Sequence, residues 1–120
     1  MSDVTQLIDR YIAMWNETDG ERRRALIAGL WTEGAAYVDP LLRGEGRGGI
    51  DAMVQAVQEK YPAHRFRRTG AVDAHNDRAR FTWELGPQDG PPLVKGTDFA
   101  VLSADRLAAV TGFFDQVAAA

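Results

Sequence analysis

The second half of the chain constrains the fold most strongly, because nearly every segment after Pro62 favours β-structure. Four such runs follow one another, at 64–72, 78–85, 93–103 and 107–117, and only short turn segments separate them. Parallel strands need a long crossover connection, whereas antiparallel strands need only a short one. Consecutive runs are therefore predicted to pair antiparallel within one sheet.

The first half of the chain is predicted to be mainly helical, because apolar residues recur at spacings of three and four. The predicted elements are a helix at 4–15, a break at 16–20, a helix at 21–30, a strand at 35–39, a glycine-rich loop at 43–49 and a third helix that begins at 50 and stops near 61–62. Helices grouped at one end and hairpins at the other predict an α+β architecture, with the helices on one face of a curved sheet.

The composition fits one globular domain, 1–120, and narrows the classes of function. Hydrophobic residues make up 45% of the 120 residues, which is ordinary for a domain with a real core. A net charge of −3, with both signs interspersed, disfavours nucleic-acid binding. No cysteine and only two histidines predict no metal site. No apolar run could cross a membrane, and the start MSDVTQLIDRY lacks a signal pattern, so a cytoplasmic location is expected.

Asp39 is the first candidate for chemistry. Pro40 keeps the residue before it out of the helical region, so the strand is predicted to end at Asp39. A glycine-rich segment follows closely, which is expected to leave the carboxyl partly solvated. Asp before Pro is also a common turn starter, because its side chain bonds the turn backbone. By itself Asp39 therefore stays open between a structural and a catalytic role.

Asp98 is difficult to explain as structure alone. It shares its strand face with Gly96, Ala100 and Leu102, and none of these offers a cationic partner. A buried carboxyl without such a partner favours its neutral form, which donates a hydrogen bond. Tyr11 lies on the apolar stripe of the first helix, so its hydroxyl is predicted to point inward, although a tyrosine there is more often a core residue.

Three segments carry a resemblance to a known family, namely DRYI at 9–12, AYVDP at 36–40 and TDFAV at 97–101. Together with the order of the elements, they make the chain similar to the nuclear transport factor 2-like superfamily. Within it, the chain resembles most the ketosteroid isomerases and the SnoaL-like polyketide cyclases. The resemblance implies a cone-shaped α+β barrel, in which helices and a mostly antiparallel sheet enclose an apolar pocket.

The same resemblance implies roles for individual residues. Asp39 matches the aspartate that moves a proton, while Tyr11 and Asp98 match the two groups that donate hydrogen bonds to an enolate oxygen. No cofactor is implied, and the expected ligand is a small apolar molecule. The predicted pocket residues are Trp15, Trp31, Met53, Phe81, Trp83, Val110 and Phe114.

The leading hypothesis is therefore a cofactor-free isomerase or cyclase that acts on a small apolar carbonyl compound through an enolate. The alternative is a non-catalytic module that binds a small molecule or dimerises, which a packed interior or an arginine paired with Asp98 would favour. A third possibility is an epoxide hydrolase-like site, with an arginine supplied by Arg43, Arg47, Arg65 or Arg68. The last strand is apolar on both faces, which predicts a homodimer.

Overall fold

Three helices pack against one face of a six-stranded sheet. The computed structural model describes residues 3–118. The helices are α1 (Asp3–Asn16), α2 (Gly20–Leu30) and α3 (Gly46–Lys60). The strands are β1 (Trp31–Val38), β2 (Arg43–Glu45), β3 (His64–His75), β4 (Arg78–Pro87), β5 (Val94–Ser103) and β6 (Arg106–Val117).

The sheet has the order β2-β1-β6-β5-β4-β3, and its neighbouring strands are antiparallel except for β1 and β6. The four C-terminal strands pair consecutively, as their short connections predict. The parallel contact between β1 and β6 is accessible because α3 and four strands separate the two along the chain. The predicted α+β class with a mostly antiparallel sheet is confirmed.

The segment 43–49 is not the loop that its glycines predict. Arg43–Glu45 form β2, which pairs with β1, and α3 begins directly afterwards at Gly46. The φ of Gly46 is 71°, a conformation that glycine adopts without steric cost, so the chain turns from strand to helix with no extra residue. β1 likewise begins at Trp31, immediately after α2, and not at 35. In β2, strand pairing overrides local propensity, because Arg43, Gly44 and Glu45 are not residues that favour strands.

The core lies between the helices and the sheet. Tyr11, Met14 and Trp15 are buried along one stripe of α1, and Ile50 and Val54 are buried on α3. Full burial of one large apolar side chain contributes roughly 1.5 to 3 kcal/mol, so this stripe is a main source of the stability that holds the helices on the sheet. Within 3–118, none of the helices has both the length and the apolarity that a membrane span requires.

Arg23 joins α2 to α3 from a buried position, with 2% of its surface exposed. Its Nε donates a hydrogen bond of 2.6 Å to Oδ1 of Asp51, which forms an ion pair. Its terminal nitrogens donate to the side-chain oxygens of Gln58 and Gln55 and to the carbonyl of Glu17. These bonds replace water around the charge, as a buried guanidinium requires, and they fix the position of α3.

Candidate functional site

A cavity of about 730 Å³ opens between the sheet and the helices α1 and α3. Most of its lining is apolar, with aromatic side chains such as Trp15, Phe66, Trp83 and Phe114. A volume of this size and a wall of this kind are typical of sites that bind small organic molecules. The interior is therefore open to a ligand and not filled by its own aromatic residues.

Exposure of the lining residues defines the depth of the cavity. Tyr11 and Asp98 are only 1% and 2% exposed, and Tyr37 is buried with them, so these three residues form the floor. Leu41 and Val117 are 73% and 59% exposed, and they mark the mouth. A ligand in the cavity passes from solvent over an apolar wall to polar groups at the buried end.

Asp98 accepts two hydrogen bonds at the floor. The Tyr11 hydroxyl lies 2.7 Å from its Oδ2, and Nε1 of Trp83 donates to its Oδ1 at 2.8 Å. Burial is the main reason that the pKa of Asp98 is raised from 3.8 to about 6, and the bonds from Tyr11 and Trp83 partly offset that effect. Because the indole N–H can only donate, a proton on Asp98 belongs on Oδ2, facing Tyr11.

Asp39 lies at the end of β1, half-buried and also lining the cavity. Its Oδ1 accepts the backbone N–H groups of Leu41 and Leu42, each at 2.8 Å, which is the turn expected of Asp before Pro. Its Oδ2 accepts the Tyr37 hydroxyl at 2.6 Å. Burial raises the pKa of Tyr37 well above its usual value, so this phenol stays protonated and acts as a hydrogen-bond donor. The structural and the functional readings of Asp39 are thus compatible, since one oxygen serves the turn while the other faces the site.

Glycines on β5 and β6 make room for these side chains. A Cβ at Gly112 would lie 2.8 Å from Oδ1 of Asp98, 3.1 Å from the Tyr37 hydroxyl and 3.2 Å from Cβ of Asp39. The two carboxyl-bearing residues therefore approach each other across a position that has no room for a side chain. A Cβ at Gly96 would overlap the Trp83 ring, whose indole N–H reaches Asp98.

The structure brings together the three residues that the sequence pointed to as catalytic. Tyr11, Asp39 and Asp98 all line the cavity, although they come from α1, the end of β1 and β5. Among the predicted pocket residues, Trp15, Trp83 and Phe114 also line it.

The other four predicted pocket residues are core residues outside the cavity wall. Trp31, Met53, Phe81 and Val110 are buried but do not line the cavity. Trp31 donates its indole N–H to the sulfur of Met14, and its ring and that of Phe81 pack against Tyr11 at centroid distances of 5.9 and 5.6 Å. Strand and helix periodicity identifies the inward face, but the packing of neighbouring elements decides how deep each side chain lies.

Two contacts at the candidate site were missing from the sequence prediction. Tyr37 is the hydrogen-bond donor to Asp39, and its place two residues earlier on the same strand face could have identified it. Trp83 was predicted to be a pocket residue, and its N–H also binds Asp98 from the neighbouring strand. That second contact depends on the register of β4 with β5, which pairs Trp83 with Gly96.

None of the four candidate arginines lines this cavity. Arg47 donates to the backbone carbonyl of Trp31, and Arg68 pairs with Asp9. Arg65 borders a separate groove near the β4–β5 loop, and Arg43 is exposed on β2. The arrangement of an arginine between two aspartates that an epoxide hydrolase-like site needs is therefore not formed by these side chains.

Comparison with known proteins gives matches among solved structures only: no protein-family model matches the sequence, and no curated protein is significantly similar to it. The crystal structure of a SnoaL-like family protein from Agrobacterium tumefaciens, provisionally assigned as an isomerase, matches with a TM-score of 0.92 and 42% identity, over 97% of this chain and 100% of that one. A provisionally assigned ketosteroid isomerase from Kribbella flavida matches with a TM-score of 0.70 and 19% identity, over 98% and 82%. A provisionally assigned SnoaL-like polyketide cyclase from Jannaschia sp. matches with a TM-score of 0.70 and 20% identity, over 92% and 86%. The last two similarities show a common fold.

Proposed function

This chain belongs to the SnoaL-like family, which has the nuclear transport factor 2-like fold, and we propose that it is a cofactor-independent proton-transfer enzyme. Its substrate is a small apolar carbonyl compound, and the reaction is an isomerisation or cyclisation that passes through an enolate. The observation that carries this proposal is that Asp39 and Asp98 share one apolar cavity in unlike surroundings. Two carboxyls in different environments are the arrangement that separates a base from an acid.

Asp39 is the general base in this proposal. It removes a proton from the carbon next to the carbonyl group, and the electron pair of that C–H bond moves to form the enolate. Oδ2 faces the site with one hydrogen bond, whereas Oδ1 is fixed by two backbone N–H groups. The turn thus orients the base, and returning the proton to another carbon completes an isomerisation.

Tyr11 and Asp98 stabilise the enolate oxygen. With a proton on Oδ2, Asp98 donates to the Tyr11 hydroxyl, which frees the phenol hydrogen for the ligand oxygen. Negative charge that develops beside Asp98 disfavours its ionised form and so strengthens this arrangement. Because Tyr11 and Asp98 are buried, one such donor is worth roughly 3 to 4 kcal/mol of transition-state stabilisation.

The pH dependence of proton exchange tests this role of Asp98. Deuterium incorporation from solvent into a panel of small cyclic ketones is followed by NMR across about pH 5 to 8. The pKa of Asp98 is raised to about 6, so the neutral donor persists below that pH and is lost above it. We expect kcat/KM to fall by about tenfold per pH unit above pH 6.

The matched variant for this experiment is Asp98→Asn, whose amide donates a hydrogen bond at every pH. Its profile is expected to lose the decline above pH 6 while exchange remains measurable. A wild-type profile that stays level or rises above pH 6, or an Asp98→Asn profile with the same decline, would show that neutral Asp98 is not the active form.

We also propose that the outer face of the sheet forms a homodimer interface. Phe99 and Phe113 are 43% and 52% exposed on β5 and β6, and their rings meet edge to face with centroids 5.7 Å apart. Both point away from the buried residues that alternate with them, so the helices do not cover them. Partly exposed aromatic pairs of this kind are typical of the centres of protein interfaces.

Replacing Phe113 by glutamate is expected to convert the dimer to a monomer, because it places a charge at the centre of the apolar contact. Sedimentation equilibrium at micromolar concentration measures the change, and Ala28→Glu on the exposed side of α2 is the control that should leave the dimer intact. A wild-type protein that sediments as a monomer, or a Phe113→Glu variant that still dimerises, would exclude this interface.

A further inference from the structure

Among the described residues that line the cavity, Lys60 carries the cationic side chain. It is the last residue of α3, and its Nζ lies 5.6 Å from the centre of the Tyr61 ring. Within residues 3–118 its amine has no carboxylate partner within salt-bridge distance, whereas Glu59 beside it accepts a hydrogen bond from Gln55. The ammonium group therefore stays available to a ligand.

The position of Lys60 gives the cavity a direction. Lys60 is exposed, as are the mouth residues Leu41 and Val117, whereas Asp98 and Tyr11 lie buried at the floor. Apolar groups line the wall between the two ends. They include Ala56 and Val57, which lie one turn before Lys60 on α3. Polarity thus runs from a cation in solvent, over an apolar wall, to carboxyl groups.

A ligand that matches this order carries unlike groups at its two ends. An anionic substituent at the floor would meet the charge of Asp39, and a buried pair of like charges is strongly disfavoured. The same substituent at the mouth keeps its hydration and gains the attraction of Lys60. A carbonyl group at the floor, in contrast, can accept a hydrogen bond from the buried Tyr11 hydroxyl.

We propose that Lys60 is a specificity-determining residue that binds an anionic group, such as a carboxylate, on the end of the substrate that remains at the mouth. The substrate class given under the proposed function then narrows to carbonyl compounds whose apolar body carries an enolisable carbonyl at one end and an acidic group at the other. This inference rests on the proposed function for the carbonyl end. The role of Lys60 itself depends only on binding.

A pair of fluorescent probes separates charge recognition from apolar binding. Anilinonaphthalene sulfonate and N-phenylnaphthylamine have the same aromatic body, but only the first carries an anionic group. We expect Lys60→Met to weaken binding of the sulfonate by about fivefold, which is the size of a solvent-exposed ion pair, and to leave the uncharged probe unchanged. Lys60→Arg should retain the affinity for the sulfonate.

The chain offers a matched control, because Lys95 is its other lysine and lies exposed on β5 outside the cavity lining. Lys95→Met makes the same change in net charge and should alter neither affinity. The proposal would be overturned if Lys60→Met lost affinity for both probes equally or kept its affinity for the sulfonate. It would also be overturned if the wild-type protein bound the uncharged probe alone or neither probe.

Failure of this inference is distinguishable from failure of the proposed function. The probes undergo no proton transfer, so their affinities report on Lys60 whether or not the protein has an isomerase activity. Conversely, proton exchange on neutral ketones is compared between the wild type and Asp98→Asn, so that experiment reports on the proposed function without any change at Lys60. The two experiments therefore reject the two proposals independently.

Discussion

Replacing Asp39 by asparagine is expected to lower the rate of solvent-hydrogen exchange on a ketone substrate by about 10²- to 10⁴-fold. The amide has nearly the same shape as the carboxylate, but it is not a base. Its oxygen can still accept the N–H groups of Leu41 and Leu42, while its NH₂ group donates to the Tyr37 oxygen. The turn and the fold should therefore persist.

The readout of this experiment has two parts. The exchange rate is expected to collapse, while the affinity for an uncharged apolar ligand and the midpoint of urea unfolding stay close to those of the wild type. Asp105→Asn, in the turn between β5 and β6, makes the same chemical change outside the cavity and should leave exchange unaltered. Exchange by Asp39→Asn within about twofold of the wild-type rate would remove Asp39 from the mechanism.

The largest expected effect on stability comes from Arg23. Arg23→Met removes the charge that pairs with Asp51, and it leaves that carboxylate, of which 16% is exposed, without its closest partner. Breaking a buried pair from one side costs roughly 3 to 5 kcal/mol. We expect a loss near the lower value, because water reaches part of Asp51.

Urea denaturation measures this loss as a shift of the unfolding midpoint at constant slope. Arg24→Met is the matched control, since Arg24 also faces Asp51, at 3.8 Å, but is 61% exposed and is expected to contribute less than about 1 kcal/mol. If the two variants lost similar amounts of stability, burial of Arg23 would not be the source of its contribution.

The sequence predicts the architecture well because the relevant signals are local and repeated. Long runs of β-compatible residues joined by short turns favour antiparallel pairing. The apolar stripe on α1 is buried only when that side of the helix faces the sheet. β2 escapes prediction because Arg43–Glu45 has no β-propensity of its own and forms a strand only by pairing with β1. Arg23 escapes for a related reason, since it stands between two other arginines and only the packing of α2 on α3 buries it.

The candidate site is less completely predictable from the sequence than the architecture is. The choice of Tyr11, Asp39 and Asp98 follows from a family resemblance and from the energetic cost of a carboxyl in an apolar strand. The donors Tyr37 and Trp83 require strand register and side-chain direction, which a single sequence does not contain. The boundary between cavity wall and solid core, which separates Trp83 from Phe81 on the same strand face, depends on how all the elements pack together.

The position of Gly112 on β6 has a mechanical consequence for the candidate site. Its backbone rests directly against Asp98, Tyr37 and Asp39, while the next residue, Phe113, points to the opposite side of the sheet. A single peptide unit thus separates the outer surface of the protein from Asp39 and Asp98, the proposed proton-transfer groups. We expect a contact that displaces β6 at Phe113 to shift the backbone beside Asp98 and Asp39, because no side chain at position 112 stands between them.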